Sequence, residues 1–195
     1  MYDINFANTP PAALDGNFVM ESFRQRASAA SDMGFLGGYP TFYFSKEGRE
    51  ELGGALLFRT DAAEWRDVPL AELGNPGLGD FSLRMRSAQD YAARAGFVGA
   101  FPNFFDADYG FGRVSGMILL PAATAEWRDL AWTDIGSPDL EDFVGRFRGV
   151  NDWAVRNGFL GGFPNMYHAD HPNGRVGGSI LIKRSEERRV GKECA

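Results

Sequence analysis

The stretch "GFLGGYPTFY" at 34–43 is written again as "GFVGAFPNFF" at 96–105 and as "GFLGGFPNMY" at 158–167. The leading glycines, Gly34, Gly96 and Gly158, are evenly spaced, and this interval is the period of the chain. Other phrases keep the same spacing: "AEWRDV" at 63–68 and "AEWRDL" at 125–130, then "LGNPGLGDF" at 73–81 and "IGSPDLEDF" at 135–143. A fixed period across several separate phrases is the signature of a tandem repeat, whose units bury their apolar faces against one another.

One unit is read most easily from its middle copy. Asp80, with Asp142 in the matching place, is a candidate helix N-cap, because a carboxylate there accepts the free N–H groups of the first turn. Phe81, Met85, Ala88, Tyr91, Ala92 and Ala95 then recur at three- and four-residue steps, which predicts one apolar helical face with Arg84, Arg86 and Arg94 off it. The third copy repeats the face with Phe143, Phe147, Val150, Trp153 and Ala154. Gly96 and Gly158 are placed to stop these helices.

Beyond the glycine the aromatic and β-branched content predicts a β-hairpin, with "DADYGFG" (106–112) and "HADHPNG" (168–174) as its turns. Pro40, Pro102 and Pro164 make the first hairpin strand an edge or end its pairing. Gly54, Gly116 and Gly178 in the returning strand predict a bulge or the close approach of another backbone. Phe35, Phe97 and Phe159 are expected on one strand face with Tyr39, Phe101 and Phe163, and Leu36, Val98 and Leu160 on the other. The Trp-containing segment is expected to fold back over the hairpin that precedes it.

The expected fold is therefore α+β, a tandem repeat of about 62 residues in which each unit is a helix, a β-hairpin and a short Trp-containing segment. Divided at the helices, the units are 17–78, 79–140 and 141–183, the last lacking its Trp-containing part. Residues 1–16 read as a partial preceding unit or as a closing segment. Either the chain is a window on a longer array, or the N-terminal piece completes the third unit and closes a three-fold ring.

Composition bounds the function. The chain has 195 residues, 44% hydrophobic and 14% aromatic, enough for a packed core. The formal charge of −6 speaks against nucleic acid and against a polybasic membrane patch. No apolar run is long enough to insert into a membrane, and the first residues show no secretory signal, so a soluble protein is expected and its compartment is left open.

The end, "RSEERRVGKEC" (Arg184–Cys194), is similar to the in-frame translation of a short-read sequencing adapter. Residues 184–195 are accordingly expected to be a non-native, disordered tail. Cys194 is the single cysteine, so disulfides and cysteine-based metal or redox sites are not expected.

No nucleophile elbow, zinc-protease helix, Walker loop or dinucleotide-binding glycine pattern is present, and neither a catalytic residue nor a cofactor is assigned. His168, Asp170 and His171 carry metal-binding chemistry, but the matching residues are Asp106, Asp108 and Tyr109 in one copy and Phe44, Lys46 and Glu47 in the other. The expectation is a solvated turn and no metal.

Trp65, Arg66 and Asp67, with Trp127, Arg128 and Asp129, are the candidate ligand-binding residues, since an indole ring stacks on a sugar while charged neighbours bond its hydroxyls. The competing reading is a Trp that plugs a seam between units, with the Arg held by a carboxylate.

"GFLGGFP" (158–164) followed by "GRVGGSILI" (174–182) resembles the LGFP repeats, tandem modules of bacterial cell-wall-associated proteins. The resemblance implies a non-catalytic role in holding an enzyme or the envelope to cell-wall glycan. The expected function is a repeat protein that binds glycan or another cell-wall polymer through repeated weak sites. A structural or protein-interaction scaffold is the alternative, and an unrecognised enzyme the third reading.

Overall fold

The computed structural model describes residues 16–43 and 54–184. Residues 1–15, which carry most of the reading of a preceding or closing segment, lie outside the described residues, as do Phe44, Lys46 and Glu47. The fold is mixed α+β. The described elements are α1 (Gly16–Asp32), β1 (Gly37–Pro40), β2 (Ala55–Phe58), β3 (Glu64–Pro69), α2 (Phe81–Arg94), β4 (Gly99–Tyr109), β5 (Gly112–Leu120), β6 (Ala125–Ala131), α3 (Phe143–Arg156), β7 (Gly161–His171) and β8 (Gly174–Ile182). A 3-10 turn follows β3 (Leu70–Leu73) and another follows β6 (Trp132–Ile135).

The helices begin where their caps require. The Asp80 carboxylate accepts the Leu83 N–H at 3.0 Å, and Asp142 accepts the Gly145 N–H at 2.9 Å. They end at Gly34, Gly96 and Gly158, at φ 83°, 85° and 88°, a left-handed turn that a side chain would disfavour.

That turn redirects the chain before the strand starts, which corrects one expectation. Phe97 and Phe159 lie in small outer clusters between a helix and its own sheet, whereas Phe101 and Phe163 lie in the central core. Residues 97 and 101 do not share a strand face because the strand begins only at Gly99.

The sheets run in the order β3-β5-β4 and β6-β8-β7, all antiparallel, with a two-stranded pair β1-β2. The Trp-containing strands therefore pair forward with the hairpin that follows them, Trp65 opposite Ile118 and Trp127 opposite Ile180. They do not fold back over the preceding hairpin. The reason lies in the chain path: β3 leads through its 3-10 turn straight into α2, and α2 covers the β4–β5 hairpin.

The hairpins are also longer than expected. Asp106–Tyr109 and His168–His171 are paired strand residues, and only Gly110–Phe111 and Pro172–Asn173 make the turns.

Pro102 and Pro164 sit on edge strands, and the ladder is interrupted between Pro102 and Asp106 and between Pro164 and His168. Phe104 and Met166 occupy these interruptions at φ 63° and 72°, and Phe42, one period before Phe104, stands at φ 58°. A left-handed non-glycine residue costs on the order of 1–3 kcal/mol and needs support. Asn103 and Asn165 supply it, their Oδ1 atoms accepting the N–H of Phe105 and Tyr167 at 3.0 and 2.9 Å. Each of the three left-handed side chains is thereby turned into the central core.

In that core Tyr39, Phe101 and Phe163 meet edge to face, with centroids 5.4, 5.0 and 5.5 Å apart. Each such ring contributes about 1.5–3 kcal/mol by burial, and edge-to-face pairs add to it. Around this trio the contacts run in one direction. Phe23 of α1 meets Phe104, and Phe147 of α3 meets Phe42, so the last helix packs on the first strand segment and the described residues close on themselves.

The glycines that open the strands make this closure possible. A Cβ at Gly37 would lie 2.7 Å from Ile118, at Gly99 2.8 Å from Ile180, and at Gly161 3.2 Å from Leu56. Leu56, Ile118 and Ile180 are themselves one period apart. Gly54, Gly116 and Gly178, by contrast, are approached by side chains and not by backbone: Thr41, Asn103 and Asn165 face them.

The helices are buried on two sides, against their own sheet and against the central core. This places Arg84 inside, 3% exposed, where periodicity alone puts it off the apolar face.

Candidate functional site

Alternation along β3 and β6 divides the six candidate residues. Arg66 and Arg128 point to one face and are held by the protein itself. The Arg66 guanidinium bonds Glu64 Oε1 at 3.1 Å and Tyr91 Oη at 3.1 Å, and lies 5.5 Å over the Phe97 ring. Arg128 pairs with Glu126 and lies 5.5 Å over both Trp153 and Phe159. These arginines tie each Trp-containing strand to the end of the helix above it.

Trp65 and Trp127 take the opposite face and stand 41% and 43% exposed. Trp65 rests over Gly116, its Cζ2 atom 2.8 Å from where a Cβ would be, and its indole N–H donates to Asp67 Oδ1 at 3.2 Å. A glycine in β5 thus lets the ring lie flat on the sheet while its outer face meets solvent.

Each Trp is part of the wall of a groove. The first, about 500 Å³, is lined by Ala27, Ser28 and Ser31 of α1 together with Trp65, Asn103 and Phe105. The second, about 560 Å³, is lined by Gln89, Asp90 and Ala93 of α2 together with Trp127, Asp129, Tyr167, His171 and Gly178. Ala27, Ser28, Ser31, Trp65 and Phe105 precede Gln89, Asp90, Ala93, Trp127 and Tyr167 by one period each. Both grooves therefore lie at the same place, where one helix meets the next sheet.

Behind the two Trp rings are Asn103 and Asn165, 1% and 0% exposed. Their Nδ2 atoms find no acceptor among the described residues. A buried amide donor without a partner is costly, by about 1–3 kcal/mol.

The grooves differ in polarity. In the second, the Tyr167 hydroxyl donates to the Asp90 carboxylate at 2.7 Å, and burial followed by that carboxylate pushes the phenol up to about 12. In the first, Phe105 and Ser28 stand in those two places. At the junction of α3 with the first strand segment, Tyr43 bonds Asp152 and, at 3.2 Å, the Arg148 carbonyl, the same pairing as Tyr167 with Asp90. The sequence reading missed these helix-side residues. Their signal was the periodic correspondence of Asp90 with Asp152, and of Tyr43 with Tyr167 two periods on.

Of the histidines, His168 lies against Trp132 at 6.1 Å and is held below the usual histidine range by burial, then by Arg146 and other nearby arginines. Asp170 is engaged by Arg175 at 2.8 Å. Among the described residues no three His, Cys, Asp or Glu side chains are grouped as a metal site, and no helix is long and apolar enough to cross a membrane. Arg184 donates to the Gly158 carbonyl at 3.2 Å, and residues 185–195 lie outside the described residues.

Compared with protein-family models, curated proteins and solved structures, the chain matches none.

Proposed function

We propose that the chain is a non-catalytic binding protein built of three units of about 62 residues, and that it holds a glycan or another cell-wall polymer in the grooves between units. The observation that carries this reading is the recurrence of one groove, with a half-exposed Trp and a buried Asn whose Nδ2 donor has no acceptor among the described residues, at two junctions one period apart. A flat indole face suits the apolar side of a sugar ring, and nearby Asp129 and Asp90 or Asp67 suit its hydroxyls. The resemblance to LGFP repeats points to the same class of ligand. Weak equivalent sites on one rigid body gain affinity through avidity, which favours an extended, repetitive ligand over a small soluble one.

The unit frame that fits the packing runs from the Trp-containing strand through helix to hairpin, since β3 and β6 pair with the hairpins that follow them. In this frame residues 125–182 carry the Trp-containing strand, the helix and the hairpin together.

The test is binding to a glycan array and to insoluble peptidoglycan. Trp127→Ala is expected to weaken retention about ten-fold, by analogy with aromatic contacts at binding hot spots, and to leave the fold intact because the ring is half exposed. Unfolding of Trp65→Ala and Trp127→Ala, or unchanged retention of both, overturns the reading.

A scaffold without a small ligand is supported by a different observation. Tyr109 and Phe111 stack at 5.4 Å and 2° on the tip of the β4–β5 hairpin, 51% and 78% exposed, as an aromatic contact with another protein would be. Loss of a pulled-down protein partner on Phe111→Ser, with glycan binding unaffected, would favour it.

A further inference from the structure

A second kind of cavity, of about 670 Å³, opens where the three helices begin. Gly16 of α1, Phe81 and Ser82 of α2, and Phe143 of α3 all line it. Helix N-termini carry a partial positive charge and unpaired N–H groups. None of the three helices holds an acidic residue in its first turn; Asp80 and Asp142 cap α2 and α3, and the residue before Gly16 lies outside the described residues.

Two arginines line the same space, and the Nε donor of each is buried without an acceptor among the described residues. Arg146 is 2% exposed, and its Nε atom has no acceptor among the described residues; the Nε of Arg86 has none either. Their counterparts are satisfied. Arg84, one period before Arg146, bonds Asp106 and Ser115 Oγ, at 2.5 and 3.1 Å. Arg24, one period before Arg86, donates to the Phe104 carbonyl at 2.7 Å.

Two residues changed, since Gly177 stands where Ser115 stands and the acidic partner is also replaced. His168 stands where Asp106 stands, so Arg146 has lost its carboxylate, and the Met166 carbonyl that would meet Arg86 is within reach of the His168 ring instead. Among the described residues Arg146 keeps the Leu140 carbonyl at 3.0 Å and the face of Trp132 at 5.1 Å. Glu141 and Asp80 also line the cavity, but neither pairs with Arg146; Glu141 acts on it only through space, and burial lowers the guanidinium to about 10. A buried cation without a counter-ion is expensive, and a bound anion removes that cost.

We propose that this cavity binds a small oxyanion, a carboxylate or phosphate group, between Arg146 and Arg86. The site is confined to the third unit: in the first, Ser22 and Phe44 stand in place of the arginine and the carboxylate, and in the second Arg84 keeps Asp106. His168 lines both this cavity and the second Trp groove, but the anion site rests on the arginines and not on the function of the grooves.

The experiment is thermal unfolding and calorimetric titration of the full chain at constant ionic strength, with inorganic phosphate in one arm and acetate and glucuronate in another. A saturable rise in melting temperature is expected, following the logarithm of anion concentration over Kd. Saturation by phosphate alone assigns a phosphate group, and saturation by acetate and glucuronate assigns a carboxylate. His168→Asp is expected to weaken binding at least ten-fold and to raise the anion-free melting temperature, because it restores the internal partner that Arg84 has. Arg146→Met is expected to weaken binding to a similar degree. No saturable response to any of the three anions, or unchanged binding in His168→Asp, overturns the proposal.

Discussion

Residues 63–120 and 125–182 follow the same backbone path, strand, 3-10 turn, helix and hairpin, yet they treat one buried arginine in opposite ways. Arg84 ends in a carboxylate and a hydroxyl, with its guanidinium 4.8 Å over Phe104. Arg146, on the same helical turn, faces His168 and shares the Trp132 ring with Arg175 at 5.7 Å. The backbone survives both arrangements because the packing that defines it comes from apolar residues and left-handed turns, which the two stretches hold in common. The polar interior is set by a few residues that can change without moving the chain.

The sharpest way to break the comparison is at the shared centre. Phe101→Ala and Phe163→Ala should each cost about 3–5 kcal/mol, as large-to-small core changes do. Urea titration followed by fluorescence and circular dichroism should show one transition in each. Two separate transitions would mean that the stretches unfold independently and that the central trio does not couple them.

Next in size is the polar difference itself. Asp106→Ala strands the buried Arg84 and should cost about 3 kcal/mol. His168→Ala removes no counter-ion and should cost under about 1 kcal/mol. Equal losses in denaturant titrations of the two variants would erase the contrast.

A smaller effect of opposite sign is expected at Tyr39. Its hydroxyl is buried in the aromatic trio without a partner among the described residues, and Phe occupies the two matching positions. Tyr39→Phe should stabilise by about 1 kcal/mol, the cost of an unsatisfied buried hydroxyl. A loss of stability would mean that the hydroxyl is bonded.

The smallest expected effect is a pH dependence. His168 is held below 6.5 by burial and then by Arg146, with Arg175 and Arg86 adding to it. A histidine with a depressed folded value contributes stability that is full above the unfolded value of about 6.5 and is lost as pH falls through the folded one. Melting temperatures should therefore decline from neutral pH downward more steeply in the native sequence than in His168→Asn. Parallel curves would remove His168 from the account.

Much of this was legible in the chain itself. Helix starts at Asp80 and Asp142, helix ends at Gly96 and Gly158, and edge strands carrying Pro102 and Pro164 follow from short-range rules, because caps, left-handed turns and missing donors act within a few residues. Trp65 and Trp127 could be singled out by type, but not divided from Arg66 and Arg128, because the face each takes depends on which hairpin the strand joins. For the same reason the grooves were hidden: Asp90, Tyr167 and Asn165 are far apart in the chain and ordinary when taken singly.

Sequence alone determined the even spacing of the recurring phrases, the α+β character and the local boundaries, all of which are written in spacing and residue type. Only the tertiary structure decided that α3 packs on the first strand segment, that Arg84 and Arg146 are interior, and that the Trp-containing strands pair forward. Those outcomes are set by which apolar surfaces meet across the whole molecule, with Tyr39, Phe101 and Phe163 converging from three distant stretches, and burial of that kind leaves no mark on any one of them.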